Sequence, residues 1–184
     1  MQDQLKDMDS KMTAAIETVG RDFAAVRTGR ASTALLDTIR VDYYGTLTPV
    51  NQVGSVSVPD ARTLMIQPWE PSQLGAIEKA IMKSDLGLTP ANDGKAIRLT
   101  MPTLTEERRK QLAKTVHKIA EDGRVAIRNV RREANDKLKG MAKDKKISED
   151  EERRGHDQIQ KTTDRFIAKV DDLLKKKEQE ILSF

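Results

Sequence analysis

The sequence predicts an α+β protein in which a long three-helix bundle carries a small inserted β/α/β domain. All six prolines lie between Pro49 and Pro102, and proline is excluded from helix interiors because it lacks an N–H group and clashes with the preceding turn. The flanking segments place apolar residues at alternating spacings of three and four, which is typical of helices with one buried stripe. We therefore expect residues 1–29 and 105–184 to form the bundle and residues 31–103 to form the inserted domain.

The first helix is predicted from one apolar stripe near the N-terminus. Its members are Leu5, Met8, Met12, Ala15, Val19, Phe23 and Val26. Residues at these spacings share one face of a helix. Because the stripe is narrow, the helix would be marginal alone, and packing against other helices must stabilise it.

Two further helices are predicted after the last proline. The second begins near Thr105, and the third begins at Ser148, whose spacing to Glu151 is that of a capping box. The stripe of the second helix is Leu112, Val116, Ile119, Gly123, Ile127, Val130, Ala134, Leu138 and Met141. The stripe of the third is Gly155, Ile159, Thr163, Phe166, Val170, Leu173 and Ile181.

The inserted segment combines strand and helix patterns. Residues 38–45 and 55–69 are rich in β-branched and aromatic residues and predict strands, and residues 89–102 predict a turn and a last strand. Residues 71–87 predict one amphipathic helix. We expect it to be capped by Ser72, to turn Leu74, Ile77, Ile81 and Met82 inward, and to stop at Gly87.

Composition argues against several classes of protein. The chain has no cysteine, which excludes disulfides and thiolate metal sites and suits a reducing cytosol. No apolar run is long enough to cross a membrane, and the N-terminal segment mixes acids and bases unlike a signal or transit peptide. We therefore expect a cytoplasmic protein without a membrane partner.

Residues that usually carry catalysis are sparse. The two histidines, His117 and His156, fall on predicted helix surfaces, and no glycine-rich phosphate loop is present. The four acids at 149–152 begin the third helix, where acids usually offset the helix dipole rather than bind metal. We expect no enzymatic activity, no cofactor and no bound metal.

Basic residues are sorted along one side of the second helix. At about 100° per residue, they lie beside the apolar stripe with Glu121 as the one nearby acid. These residues are Arg124, Arg128, Arg131, Arg132 and Lys139. A solvated face is the usual explanation of such a run, but arginine favours bidentate contact with phosphate. Without interleaved aromatic residues, RNA backbone contact fits better than base stacking.

Several segments together resemble one family, the bacterial ribosome recycling factors. The resemblance covers essentially the whole chain in order, and it is specific because the motifs occur together. The segments are VRTGRAS (26–32), VDYYGT (41–46), EKAIMKSDLGL (78–88), IRLTMPTLTEERRK (97–110), RNVRREANDK (128–137) and ISEDEERR (147–154). The chain departs from the family pattern at Thr89, where asparagine is common, and at Gly123, where alanine is usual.

The resemblance implies an L-shaped, non-enzymatic translation factor. Such a factor acts with elongation factor G and GTP to split the post-termination ribosome into subunits, freeing mRNA and tRNA. The resemblance also implies that the bundle contacts large-subunit rRNA at the subunit interface, through Arg128, Arg131 and Arg132 here. The small domain would swing on a hinge and meet elongation factor G. The matching hinge positions are Gly29, Arg30, Ala31, Thr103, Leu104 and Thr105.

Two alternatives belong to other classes. A coiled-coil adaptor or chaperone-like protein without an RNA role would explain the apolar stripes, although not the sorted arginines. An enzyme built on the small domain is disfavoured, because residues 31–103 contain no histidine or cysteine and show no paired-acid pattern. Ribosome binding that weakens with added salt separates the first alternative from the RNA-binding hypothesis, since phosphate contacts release counterions. We expect the protein to be a monomer.

Overall fold

The structure, a computed structural model, describes residues 2–183. The chain forms two compact units. The first comprises the chain up to Arg27 together with Glu106–Ser183, and the second comprises Thr28–Thr105. The first unit is a three-helix bundle, and the second is a small α+β unit inserted between the first and second long helices. The predicted fold class is confirmed.

The elements follow one another in a simple order. They are α1 (Gln2–Ala25), a 3-10 turn (Thr33–Leu36), β1 (Arg40–Tyr43), β2 (Thr46–Pro49), α2 (Val50–Val53), β3 (Gly54–Asp60), β4 (Thr63–Pro68), a second 3-10 turn (Pro71–Gln73), α3 (Leu74–Met82), β5 (Pro90–Asn92), β6 (Ile97–Thr100), α4 (Glu106–Lys143) and α5 (Glu149–Leu182).

The predicted apolar stripes form the core of the bundle. In α1 the fully buried members are Met8, Met12, Val19 and Phe23, and α4 and α5 bury most of their predicted positions. Two details differ. Ala120 of α4 is buried although the stripe did not include it, and Leu174 rather than Leu173 is the buried leucine of α5. Adjacent leucines lie about 100° apart, so spacing alone could not choose between them.

The third long helix begins as the sequence predicts. Ser148 Oγ accepts a hydrogen bond from the Glu151 backbone N–H at 3.2 Å, and Glu151 Oε2 accepts one from the Ser148 N–H at 2.8 Å. This capping box satisfies two N–H groups that a helix end leaves without partners. It fixes the point at which α5 begins after the short turn that follows α4.

Two glycines allow the long helices to approach closely. A Cβ on Gly123 would overlap Val19 Cγ2 of α1, and a Cβ on Gly155 would lie 2.6 Å from Leu138 Cδ2. Both glycines are buried within helices, where glycine costs about 1 kcal/mol relative to alanine. Close packing explains why glycine is found there.

The inserted unit contains two antiparallel sheets. β1 pairs with β2, and the other four strands form a sheet in the order β3-β4-β6-β5. Its core is aliphatic, and α3 contributes Leu74, Ile77 and Ile81 to it. Strand β2 and the short α2 did not emerge from the sequence.

Three predictions about α3 were wrong. Met82 is the last residue of α3 and is 61% exposed, so it does not face inward. Ser72 lies inside the 3-10 turn that precedes the helix, and the N-terminal position, Gln73, makes no side-chain cap. The helix ends well before Gly87, which adopts a left-handed φ of 66° in the following turn. The short helix ends where its apolar face ends.

Candidate RNA-binding face and hinge

The predicted basic residues lie on one side of α4, but they are not equivalent. Arg132 and Lys139 are exposed and Arg131 is half-buried. Within residues 2–183, none of these three cations has a carboxylate within 4.0 Å, since the ion pairs of the bundle involve other residues. Arg132 makes only a long contact of 3.5 Å with Asn129 Oδ1. These side chains are available to an external anion.

Arg124 is held inside the bundle instead. Its Nη2 and Nε donate to Asp171 Oδ1 at 2.6 and 3.0 Å, which joins α4 to α5. Its Nη1 donates to Glu121 Oε2 at 3.2 Å, and the side chain is only 19% exposed. The bond to Asp171, with a smaller contribution from Glu121, raises the pKa of Arg124, while partial burial of the guanidinium opposes the rise. Among the predicted basic residues, Arg124 is the one whose positive charge is most completely compensated by carboxylates of the protein itself.

Arg128 occupies an intermediate position. Its Nη1 donates to Glu121 Oε1 at 3.0 Å, and this is its one ion pair in the part of the chain that the structure describes. Glu121 therefore accepts hydrogen bonds from two arginines, one through each oxygen. The bonds from Arg128 and then Arg124 lower the pKa of Glu121. Sequence spacing identified Glu121 as a neighbour, but Asp171 lies 47 residues away from Arg124 and could not be identified.

The opposite side of α4 is electrically balanced. Glu133 Oε1 accepts hydrogen bonds from Lys11 of α1 at 2.6 Å and forms an ion pair with Lys137 at 2.8 Å. Asp7 lies 3.2 Å from Lys11 Nζ and 3.7 Å from Lys137 Nζ. The hydrogen bond from Lys11, with that from Lys137, lowers the pKa of Glu133 to about 2. The uncompensated positive charge of α4 therefore lies on the side away from this network.

The predicted hinge residues differ in how they are held within the inserted unit. The Ala31 N–H donates to Ala61 O at 2.9 Å, and Thr103 Oγ1 accepts from Arg62 Nη2 at 2.7 Å. Gly29 has a φ of 81°, and a Cβ there would lie 3.3 Å from Leu104 Cγ. The outgoing and returning chains are therefore in contact at Gly29 and Leu104. Ala31 and Thr103 are hydrogen-bonded to other residues of the inserted unit. Motion at the hinge stays a prediction.

Exposed aromatic residues on the inserted unit were not singled out from the sequence. The hydroxyls of Tyr43 and Tyr44 both donate to Glu70, each at 2.7 Å. Tyr44 and the neighbouring Trp69 are nonetheless largely exposed. Tyrosine and tryptophan are enriched at protein interfaces, so these residue types were a signal in the sequence, whereas their exposure required the structure.

The two histidines make side-chain contacts within the bundle. His117 Nε2 lies 2.6 Å from Glu178 Oε1, and His156 Nδ1 lies 2.6 Å from Asn135 Oδ1. Within residues 2–183, no group of three or more potential ligands is arranged to hold a metal ion. No helix in the same range is long and apolar enough to cross a membrane.

Comparison with known proteins gives one consistent result. The model of the family described as "Ribosome recycling factor" matches residues 19–182. The ribosome-recycling factor of Carboxydothermus hydrogenoformans is 58% identical over 183 residues, which are 100% of this chain and 99% of that protein. The ribosome-recycling factor of Oleidesulfovibrio alaskensis is 56% identical, over 97% of each chain.

Solved structures agree with these relatives. The solution structure of a ribosome recycling factor is 43% identical, with a TM-score of 0.70, over 100% of this chain and 97% of that one. A second match, at 52% identity and a TM-score of 0.62 over 98% of each chain, is to models for the T. thermophilus ribosome recycling factor and the E. coli elongation factor G bound to the E. coli post-termination complex. On this evidence, the chain belongs to the ribosome recycling factor family, whose members are translation factors rather than enzymes.

Proposed function

We propose that this protein binds the ribosome after termination and, with elongation factor G and GTP, separates the two subunits and frees mRNA and tRNA. The observation that carries the proposal is the match, over 98% of each chain, to a recycling factor placed with elongation factor G on the post-termination complex. The chain itself contains no phosphate-binding loop, so the energy must come from a nucleotide-hydrolysing partner.

The basic side of α4 is the proposed contact with large-subunit rRNA at the subunit interface. Arg131, Arg132 and Lys139 support it directly, because they have no carboxylate partners among the described residues. Arg128 joins them through its exposed edge, while Arg124 chiefly holds α4 to α5. A row of unpaired cations on a stiff helix suits recognition of RNA phosphates by position rather than by sequence.

The inserted unit is the proposed site of contact with elongation factor G. The hinge is proposed to change the orientation of the inserted unit between ribosome binding and subunit splitting. Ala31 and Thr103 are bonded within the inserted unit, so we propose that the changes in backbone angle are concentrated at the neighbouring hinge positions Gly29, Arg30 and Leu104. A hinge needs only a few residues to absorb changes in φ and ψ. The long packed helices resist bending and would pass force from the partner to the subunit contacts. We propose that the protein acts in the cytoplasm as a monomer.

Light scattering of purified post-termination ribosomes tests the function. We expect scattering to fall only when the protein, elongation factor G and GTP are all present, because separated subunits scatter less than intact ribosomes. No fall, with salt-sensitive binding intact, would contradict subunit splitting. No binding at all would favour the coiled-coil adaptor.

A charge-reversed pair of variants tests the RNA-binding face. Arg132→Glu should weaken ribosome binding because it places a carboxylate against phosphates. Lys161→Glu is the matched control, since Lys161 is exposed on the groove between α1 and α5, away from the basic side of α4. Equal binding by the two variants would show that net charge, rather than this face, determines affinity.

A further inference from the structure

We propose that Glu121 is a built-in competitor for RNA phosphate, which occupies Arg128 in the free protein and lowers the affinity of the basic face. This inference rests on the proposed RNA-binding role of α4. It concerns the specificity and release of the complex, because a factor that must leave the ribosome gains from a contact that is already satisfied in solution.

The geometry separates the two arginines that contact Glu121. Arg124 is also bonded to Asp171 at 2.6 Å, so losing Glu121 would leave it fixed between α4 and α5. Arg128 has Glu121 as its one carboxylate partner within residues 2–183, at 3.0 Å. Arg128 is therefore the cation whose availability depends on this carboxylate.

Exposure makes the competition possible. The Glu121 side chain is 51% exposed and that of Arg128 is 38% exposed, so both are accessible to solvent and to a bound anion. A phosphate that approached Arg128 would meet the charge of Glu121 on the same guanidinium group. Two anions on one cation repel each other, so binding must either displace the carboxylate or accept that repulsion. Exposed ion pairs are weak enough for such an exchange.

The role of Glu121 also explains why one acid stands among these bases. An ion pair that only stabilised the bundle would be expected to join two helices, as Arg124 and Asp171 do. The bond between Glu121 and Arg128 stays within α4, spans seven residues and faces solvent. Its structural contribution is therefore small, whereas its effect on the field at the basic face is direct.

Two neutral substitutions of adjacent acids provide the test. Glu121→Gln removes the proposed competitor, while Asp122→Asn changes the net charge equally on another side of the helix. Asp122 is exposed and has no cation within 4.0 Å in the described range. Binding of labelled full-length protein to purified large ribosomal subunits is measured across a series of salt concentrations.

We expect Glu121→Gln to bind about two- to fivefold more tightly than Asp122→Asn at low salt. We also expect the slope of log affinity against log salt to steepen by up to about one, because Arg128 then neutralises a phosphate without exposing a carboxylate. Equal affinities and slopes for the two variants would overturn the inference. Weaker binding by Glu121→Gln would overturn it too, since Glu121 would then hold Arg128 in its binding position.

A double substitution identifies the group through which Glu121 acts. In an Arg128→Gln background, the gain from Glu121→Gln should largely disappear, and a gain that persists would contradict action through Arg128. The wild-type protein separates this inference from the proposed function. Salt-sensitive binding by wild type with no difference between the variants removes only the competitor role, whereas no wild-type binding removes both.

Discussion

Replacing Gly123 with alanine tests how closely the long helices pack. Gly123 lies where α1, α4 and α5 meet: its missing Cβ would overlap Val19 Cγ2 and lie 4.0 Å from Val170 Cγ2. Val19 is almost completely buried, and its branched side chain has little rotational freedom to move aside. The substitution therefore sets a gain in helix propensity against a steric clash in the core.

The magnitudes favour a net loss. Alanine in a helix interior gains about 1 kcal/mol over glycine, whereas an extra methyl group in a packed core costs roughly 1–3 kcal/mol. We expect Gly123→Ala to destabilise the bundle by about 1 kcal/mol. Val19→Ala alone removes two buried carbons at about 0.8 kcal/mol each and leaves a cavity, a loss of about 2 kcal/mol. In the double variant the new methyl group fills part of that cavity, so the loss should be about 1 kcal/mol.

Urea unfolding of wild type, the two single variants and the double variant gives a double-mutant cycle. Far-ultraviolet circular dichroism follows the helices of the bundle, and fluorescence of Trp69, the single tryptophan, follows the inserted unit. We expect the bundle transition to shift and the losses to be non-additive by about 2 kcal/mol in favour of the double variant. Strict additivity, or a stabilised Gly123→Ala variant, would refute the reasoning, because either result would mean that the helices separate without cost at this position.

Three further predictions concern charge and the hinge. The lowered pKa of Glu133, about 2 against an ordinary 4.5, means that its stabilising contribution is complete above pH 4.5 and is lost as the pH falls towards 2. The stability difference between wild type and Glu133→Gln, measured by urea unfolding, should therefore shrink between pH 6 and pH 3, and a constant difference would contradict this. Arg124→Ala should lower bundle stability by about 1 kcal/mol through loss of the Asp171 bond, while Arg132→Ala leaves the unfolding midpoint unchanged; equal midpoints would count against the interhelical bond. Arg30→Pro should restrict the hinge, preserving ribosome binding and slowing subunit splitting in the light-scattering assay, and splitting at the wild-type rate would argue against hinge motion.

The sequence was most informative where one physical rule dominated. Confinement of all the prolines to one segment located the inserted unit, and the spacing of Met8, Met12, Val19 and Phe23 located the buried face of α1. The capping box at Ser148 is local, and it formed as the sequence predicts. Each of these features follows from a rule that applies within one segment of the chain and needs no knowledge of how distant segments pack.

Features that depend on distant residues could not be predicted. Arg124 forms an ion pair with Asp171 of α5. This pairing depends on how α4 and α5 are aligned along each other, and residue spacing within one helix does not reveal that alignment. The wrong assignment of Met82 has a different cause: it lies one position after the buried Ile81, at the last residue of α3, and spacing alone did not show that it falls outside the buried face. The sequence pattern placed these basic residues on one side of α4, whereas the differing availability of its arginines required the structure; RNA binding by this side stays a prediction.

The order of the helices along the chain has a consequence for synthesis of the protein. Helix α1 is made first, yet its partners are far away in sequence: Lys11 bonds to Glu133 across 122 residues and Arg165 bonds to Asp9 across 156. By contrast, α4 and α5 are joined by a short connection and can pair as soon as both have left the ribosome. Long-range contacts form late because closing a long loop costs entropy before the contact repays it. The apolar stripe of α1 therefore stays exposed to solvent on the nascent chain while the inserted unit is synthesised. The hydrophobic core of the bundle is complete only when α5 has been made.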